Sequence, residues 1–118
     1  MGSHAKVRTW TGADYVVVTP VGELDFYSSP EFRQEVDEAL ASPGCTLVCC
    51  DLSEVEFMDS AALGELVRAR RACLKAQVRF CLVGATGTTR RILRWTQLDA
   101  VIPSYSTLGE ALLTLGRA

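Results

Sequence analysis

The chain has 118 residues, of which 48% are hydrophobic and 22% charged, with a formal net charge of −2. This length suits one domain and is too short for two ordinary ones, and the composition is typical of a folded protein. A net negative charge argues against nucleic acid as a direct partner, because phosphate backbones are gripped by clustered Lys and Arg. The longest apolar runs fall far short of the roughly 20 residues that cross a bilayer, so we expect no membrane segment.

The ends and the cysteines indicate a cytoplasmic protein. Residues 1–4 resemble a vector-derived remnant and not a secretion signal, because no apolar segment follows them. We therefore expect a single domain over residues 5–118. The chain has five cysteines, which form no CxxC pair and leave one over if paired, so reduced thiols are expected.

The first third of the chain predicts a hairpin and a helix. Two β-rich runs, 6–10 and 15–19, flank turn residues, which is typical of a β-hairpin. Ser28 and Glu31 have the spacing of a capping box, with a proline between them, and predict the start of a helix. Its inner face is predicted from apolar residues at helical spacing: Phe32, Val36, Ala39 and Leu40.

The middle of the chain predicts a central strand and the clearest helix. Residues 45–50 are apolar almost without alternation, as expected of a strand inside a sheet. After a short connection, a strongly amphipathic helix is predicted to begin at about Ser60. Its inward residues are predicted to be Leu63, Leu66, Val67 and Leu74.

The last third continues the alternation of strand and helix. A β-rich run at 77–83 precedes a helical pattern at 88–96, and a short edge strand is expected at 101–102. The final helix has a start signal at Thr107 and a stop at Gly116. The order ββαβαβαβα predicts an α/β domain with one mixed sheet of about five strands, an N-terminal hairpin, parallel inner strands and about four helices.

The residues do not supply an enzyme's site. A nucleophilic serine needs a base within hydrogen-bond reach, most often histidine, and the only histidine is His4. Without further histidines the scattered cysteines form no zinc-type constellation. We therefore expect no catalysis, no metal and no cofactor.

A glycine-containing turn offers one alternative function. Gly84, Thr86 and Gly87 lie between a strand and a helix start, and Arg90 follows closely. The segment lacks the GKS or GKT end of a P-loop and the three-glycine dinucleotide pattern. An ordinary turn and helix cap is the favoured interpretation, and nucleotide or small-ligand sensing by these four residues is the alternative.

An acidic residue and a hydroxyl meet at the start of the amphipathic helix. Asp59 and Ser60 are both good caps, and composition alone would make one of them a cap and nothing more. The sequence around them, however, resembles the anti-sigma-factor antagonists of bacteria, which are STAS domains. The matching motifs are Phe-Met-Asp-Ser at 57–60, Val-Gly-Glu-Leu-Asp at 21–25, Asp-Leu-Ser at 51–53 and Arg-Ile-Leu-Arg-Trp-Thr-Gln-Leu at 91–98.

This resemblance implies the STAS fold and a phosphorylation switch at Ser60. It implies that the unphosphorylated protein binds a partner that is both an anti-sigma factor and a serine kinase, and so releases a sigma factor. Phosphorylation by that partner would end binding, and a PP2C-type phosphatase would restore it. The resemblance further implies a monomer or weak homodimer whose partner-binding residues are Asp25, Met58, Asp59, Ser60 and Ala61.

The sequence departs from the family pattern at three positions. Ala61 and Ala62 stand where the family has Ser or Thr and then Gly, which leaves Ser60 as the sole local hydroxyl and puts the phosphorylation rate in question. Gln97 stands where glycine is common. A scaffold subunit of a larger signalling assembly, a role that STAS domains also have, is the second alternative function.

Overall fold

The computed structural model describes residues 6–115, with Lys6 described by its backbone alone. The expectations for residues 1–4 and Gly116 lie outside this range. Within it, the chain forms six strands and four α-helices. In order they are β1 (Lys6–Thr11), β2 (Tyr15–Leu24), α1 (Ser29–Ala41), β3 (Leu47–Asp51), β4 (Val55–Met58), α2 (Ser60–Lys75), β5 (Arg79–Val83), α3 (Gly87–Trp95), β6 (Ser104–Tyr105) and α4 (Leu108–Thr114).

The strands form the mixed sheet that the sequence predicts. Its order is β1-β2-β3-β5-β6, with β1 antiparallel to β2 and the other neighbours parallel. The last part of β2 pairs in parallel with β4 after a register shift between Gly22 and Glu23. Gly22 has φ 93°, a left-handed conformation that favours glycine, so it permits this change of partner. The α/β class and the N-terminal hairpin are thereby confirmed.

Two strand assignments differ from the expectation. Residues 55–58 form β4, although the sequence predicted only a connection, because the strand has four residues without the alternation of a half-buried strand. The edge strand lies at Ser104–Tyr105 and not at 101–102. Ile102 is fully buried in the core instead, and the strand pairing to β5 starts with the carbonyl of Pro103, which accepts the N–H of Leu82 at 2.9 Å.

The sheet separates two apolar layers. On one face, α1, α2 and α3 pack over a large core that includes Phe32, Leu66 and Leu93. On the other face α4 covers a smaller cluster through Ala111. Successive residues of β3 alternate between the two layers, which explains why the run reads as continuously apolar.

The inner face of α2 differs from the prediction at one residue. Leu66 is fully buried as expected, but Leu74 is 67% exposed. The buried line of the helix ends at Cys73, one position before Leu74. A 100° step between neighbouring residues of a helix therefore turns Leu74 to the outside.

The described part of the chain contains no helix that combines the length and the apolar character needed to cross a bilayer. All five cysteines are free. Cys49 of β3 and Cys81 of β5 face each other inside the smaller apolar layer, with their sulfur atoms 3.3 Å apart.

Candidate functional site

The site forms where β2 and β4 end side by side. The two strands are parallel neighbours, and Leu24 lies opposite Met58 in the register. The segment that leaves β2, residues 25–28, therefore lies beside the segment that enters α2, residues 59–61. These segments are more than 30 positions apart in sequence, and the pairing of β4 with β2 is what joins them.

Asp59 connects the two segments. It is the N-cap of α2, and its Oδ1 accepts the N–H of Ala62 at 3.0 Å. Its Oδ2 accepts the N–H of Phe26 at 3.0 Å, and its own N–H donates to the carbonyl of Leu24 at 3.3 Å. Of the two candidate caps, Asp59 is thus the one that caps, and it also ties the β2–α1 loop to the helix.

Ser60 is the first residue of α2 and is exposed. Within residues 6–115 its hydroxyl has no hydrogen-bond partner, since Asp59 supplies the cap. The early N–H groups of a helix lack partners inside the helix and carry the positive end of its dipole. The hydroxyl is therefore accessible to an enzyme, and it lies where a helix accommodates negative charge.

The loop from β2 to α1 is held by its own side chains. The Oδ1 of Asp25 accepts the N–H groups of Tyr27 and Ser28, both at 3.0 Å. The buried hydroxyl of Ser28 accepts the N–H of Asp25 at 2.9 Å and donates to the carbonyl of Glu23 at 3.1 Å. Ser28 thus makes no side-chain cap on α1, so the predicted capping box is wrong.

This loop, which is bonded to Asp59 through the N–H of Phe26, presents two aromatic side chains. Phe26 is 68% and Tyr27 71% exposed, and their rings make an edge-on contact with centroids 5.4 Å apart. Exposed aromatic pairs are costly to leave in water and are enriched at protein interfaces. We call these two residues the aromatic pair. The aromatic pair was not predicted from the sequence, although two adjacent aromatic residues outside any helix or strand pattern indicate an exposed contact surface.

A groove between α1 and α2 begins next to the aromatic pair and has a volume of about 850 Å³. It exists because Ala61 and Gly64 of α2 are small. The departure from the family pattern at Ala61 therefore lies in the wall of this groove. Its lining residues are Phe26, Ser29, Pro30, Arg33, Gln34, Asp37, Glu38, Ala41, Ala61, Gly64, Glu65 and Arg68.

Two ion pairs join α1 to α2 along the groove. Arg33 contacts the buried Glu65 with two nitrogen atoms, at 3.2 and 2.5 Å, and Arg68 contacts both oxygens of Asp37 at 3.2 Å. The hydrogen bond to Glu65, followed by the charge of its carboxylate, raises the pKa of Arg33. The ion pair between Arg33 and Glu65 is bidentate, and it fixes the position of α1 relative to α2.

The predicted partner-binding residues are not equally accessible. Ser60 is exposed, and Asp25, Asp59 and Ala61 are half-buried. Met58 is only 2% exposed and belongs to the core. Its side chain anchors the end of β4, and its role in partner binding stays a prediction.

Of the four residues considered for nucleotide binding, Gly84 and Gly87 have backbone conformations that favour glycine. Gly84 has φ 75°, and an added Cβ would lie 2.9 Å from both Asp51 Oδ1 and Ser53 Cβ, so packing already requires glycine. Gly87 also has a positive φ, of 56°. Thr86 is the N-cap of α3 without a side-chain cap bond, and Arg90 is exposed.

Arg90 lines a polar pocket of about 230 Å³ together with Ser104 and Tyr105 of β6. Asp99 lines the same pocket and brings a carboxylate, which disfavours an anionic ligand. Burial raises the pKa of Tyr105, another lining residue. Nowhere in residues 6–115 do three His, Cys, Asp or Glu side chains come together in a way that could hold a metal ion.

Comparison with known proteins identifies relatives over most of the chain. The anti-sigma-F factor antagonist RsfB of Mycobacterium tuberculosis is 32% identical over 107 residues, which are 88% of this chain and 86% of the relative. The anti-sigma-B factor antagonist of Listeria monocytogenes is 29% identical over 97 residues, 82% of this chain and 84% of the relative. Both are named for a regulatory role and not for catalysis, in agreement with the expectation of a non-enzymatic protein.

The fold agrees with these relatives. The crystal structure of an anti-sigma factor antagonist from Mycobacterium paratuberculosis superposes with a TM-score of 0.83 at 30% identity, covering 97% of this chain and 95% of that one. The family model described as STAS domain matches residues 5–111. The chain therefore belongs to the STAS domain family.

Proposed function

We propose that this chain is an anti-sigma-factor antagonist whose binding is controlled at Ser60. Unphosphorylated, it binds an anti-sigma factor that is also a serine kinase, and the bound sigma factor is released. Phosphorylation of Ser60 by that partner ends binding, and a PP2C-type phosphatase restores it. Nucleotide sensing and a scaffold role are not proposed, because no observation on the site favours them.

The observation that carries the proposal is an exposed hydroxyl at a helix start that has no hydrogen-bond partner within residues 6–115 and directly follows Asp59, which binds the loop of the aromatic pair. Ser60 is exposed, and the neighbouring aromatic side chains Phe26 and Tyr27 are 68% and 71% exposed. The names of the relatives, which are anti-sigma factor antagonists, support a protein partner for this surface. The groove between α1 and α2 extends the same surface and offers a partner side chain a place to insert.

A phosphate on Ser60 would change this surface electrostatically. Phosphoserine carries about −1.5 to −2 charges near neutral pH. It would lie beside the carboxylate of Asp59, on a surface that previously offered a neutral hydroxyl. A desolvated charge without a counter-charge costs about 2–5 kcal/mol at an interface, and about 1.4 kcal/mol is tenfold in affinity. One phosphate is sufficient for a switch.

Substitutions at Ser60 test the proposal in titrations with candidate anti-sigma factors that are serine kinases. Ser60→Ala should bind as tightly as the wild type and stay bound when ATP is added. Ser60→Asp should bind at least about tenfold more weakly. Thr86→Asp is the matched control, because it places the same charge at the start of α3, away from the aromatic pair. If both Ser60 variants bind and respond to ATP like the wild type, Ser60 is not the switch.

Mass spectrometry identifies the acceptor directly. After incubation with the kinase and ATP, the phosphate should be found on Ser60, and Ser60→Ala should remain unmodified. Addition of a PP2C-type phosphatase should remove it. A phosphate on another residue in the wild-type protein would refute the assignment.

The proposal includes the setting in which this exchange occurs. We place the protein in the cytoplasm, where sigma factors act, as one STAS domain over residues 5–118. We propose a monomer or weak homodimer, which leaves the aromatic pair free for the partner. Sedimentation at several concentrations tests this, and a tight dimer that excludes the partner would contradict it.

A further inference from the structure

We infer that Cys49 and Cys81 form a two-electron oxidation site, at which a peroxide joins the two thiols as a disulfide beneath α4. The reduced pair is the resting state, and the disulfide forms when α4 lifts from the sheet. The two cysteines lie in the smaller apolar layer, on the face of the sheet opposite α2. The site is therefore separate from Ser60, and the inference does not depend on the proposed function.

The sheet holds the two cysteines directly opposite each other. Cys49 of β3 and Cys81 of β5 are partners in the register of two parallel strands. Neighbouring strands lie about 4.8 Å apart, which falls within the range of about 4.4–6.8 Å that disulfides span between Cα atoms. The two sulfur atoms are 3.3 Å apart. A disulfide can therefore form without any change in the register of the strands.

The neighbouring cysteines are placed differently. Cys50 follows Cys49 along β3, but its side chain packs in the larger core on the opposite face of the sheet. Cys73 lies in that larger core too, and the thiol of Cys45 donates to the carbonyl of Leu47 at 3.5 Å. Cys50 therefore offers a matched control, since it is equally buried and adjacent in sequence but faces away from Cys81.

The two thiols have different roles in the oxidation. The hydrogen bond from Cys81 lowers the pKa of Cys49, whereas the same bond, followed by burial, raises the pKa of Cys81. Cys49 is therefore the first of the two to lose its proton, and the thiolate is the form that attacks an oxidant. Cys81 stays protonated beside it, in the position of a resolving cysteine.

The reaction balances with hydrogen peroxide as the oxidant. The sulfur of Cys49 attacks one peroxide oxygen, the O–O bond breaks, and the other oxygen leaves as water with the proton of Cys49. The sulfur of Cys81 then attacks the sulfenic acid on Cys49, the S–O bond breaks, and the hydroxyl leaves as a second water with the proton of Cys81. The two thiols together lose two electrons and two protons, which the peroxide takes up.

α4 controls access to the two thiols. Both cysteines are fully buried, and Ala111 of α4 packs over their layer with the partly buried Leu108 and Leu112. α4 has seven residues, of which Ala111 alone is fully buried. An element held by so little buried apolar surface opens locally at a low cost in free energy. Peroxide therefore reaches Cys49 in the open form, and the closed form protects it.

Peptide mapping of the full chain tests the site. The reduced protein is treated with hydrogen peroxide, its remaining thiols are alkylated under denaturing conditions, and the digest is analysed without reductant. The map should contain a disulfide between Cys49 and Cys81, with fragment spectra that exclude Cys50, and dithiothreitol should restore both thiols. If Cys49 and Cys81 stay free in excess peroxide, or if the disulfide joins other cysteines, the inference is overturned.

Alanine variants assign the disulfide to its two sulfur atoms. Cys49→Ala and Cys81→Ala should leave the remaining thiol of this layer without a disulfide partner. Cys50→Ala should form the disulfide at a rate within about twofold of the wild type, because its thiol faces the other layer. Circular dichroism checks that all three variants are folded. A wild-type rate of disulfide formation in Cys49→Ala would overturn the assignment.

Variants of α4 test its role as the cover. Thr107 caps α4 by accepting the N–H of Glu110 at 3.0 Å, so Thr107→Ala should form the disulfide at least about twofold faster. Gly109→Ala adds a Cβ to the same helix without a close contact, so it should slow formation by at least about twofold. Equal rates in the wild type and both variants would overturn the role of α4.

Discussion

Replacement of Gly64 separates the stability of the protein from its binding. Gly64 lies in the second turn of α2 and is exposed, and an added Cβ would meet no atom within 4 Å. Glycine inside a helix is less favourable than alanine by about 0.8–1 kcal/mol. Because nothing clashes, Gly64→Ala should raise the free energy of unfolding by about 0.5–1 kcal/mol.

A larger side chain at the same position should block the groove. Gly64 is one of the residues that line the groove from α2, so the leucine of Gly64→Leu would project toward the space between α1 and α2. We expect Gly64→Leu to keep wild-type stability or exceed it, and to bind the anti-sigma factor at least about tenfold more weakly. A stable protein with lost affinity would assign the groove to the interface.

Urea unfolding and thermal unfolding measure the first effect, and a titration with the anti-sigma factor measures the second. A gain of about 1 kcal/mol should raise the melting temperature by about 4–8 °C for a domain near this size. Gly109→Ala is the control, since it also adds a Cβ to a helix without a close contact but lies in α4. A destabilised Gly64→Ala would refute the packing argument, and a Gly64→Leu that binds like the wild type would refute the groove as part of the interface.

Three further predictions concern the scaffold. Gln97 has φ 62°, a left-handed backbone conformation that costs an L-residue energy. Gln97→Gly should therefore raise the free energy of unfolding by about 0.5–1 kcal/mol. Urea titrations measure this, and no gain in stability would contradict it. Gly84→Ala should lower the free energy of unfolding by about 1–3 kcal/mol, because φ is 75° and the added Cβ would lie 2.9 Å from Asp51 Oδ1. Wild-type stability in urea titrations would contradict this, since it would show that the turn can relax. In the folded protein at about pH 8, a thiol reagent should modify Cys45 first and Cys73 only on unfolding, because burial raises the pKa of Cys73 to about 12. Peptide mapping measures this, and rapid native modification of Cys73 would contradict it.

The glycine that the family resemblance implies at position 97 has a physical reason. Gln97 lies two residues after Trp95, the last residue of α3, in the left-handed conformation, which L-residues adopt at a cost and glycine adopts freely. Gln77, which comes after the end of α2, has the same left-handed conformation, with φ 61°. Sequence comparison alone detects the departure, whereas the backbone angle explains what it costs.

Local sequence signals were sufficient for the order of the main elements other than β4, and for the candidate switch. Hydrophobic periodicity depends on neighbouring residues, so α1, α2 and the central strand could be predicted without the fold. The Asp59 and Ser60 pair could be recognised as a helix start for the same reason. β4 could not, because four residues without alternation become a strand only when the end of β2 is available to pair with them.

The sequence by itself determined the α/β class, the family resemblance and Ser60 as the residue to test, because each depends on short-range patterns. Only the tertiary structure decided which side chains share the site with Ser60. The pairing of β4 with β2 brings the aromatic pair to the start of α2, and it turns Asp59 from a simple cap into a link between loop and helix. It also buries Met58, which the motif alone had placed among the partner contacts. These outcomes depend on contacts between residues distant in sequence, which no local pattern encodes.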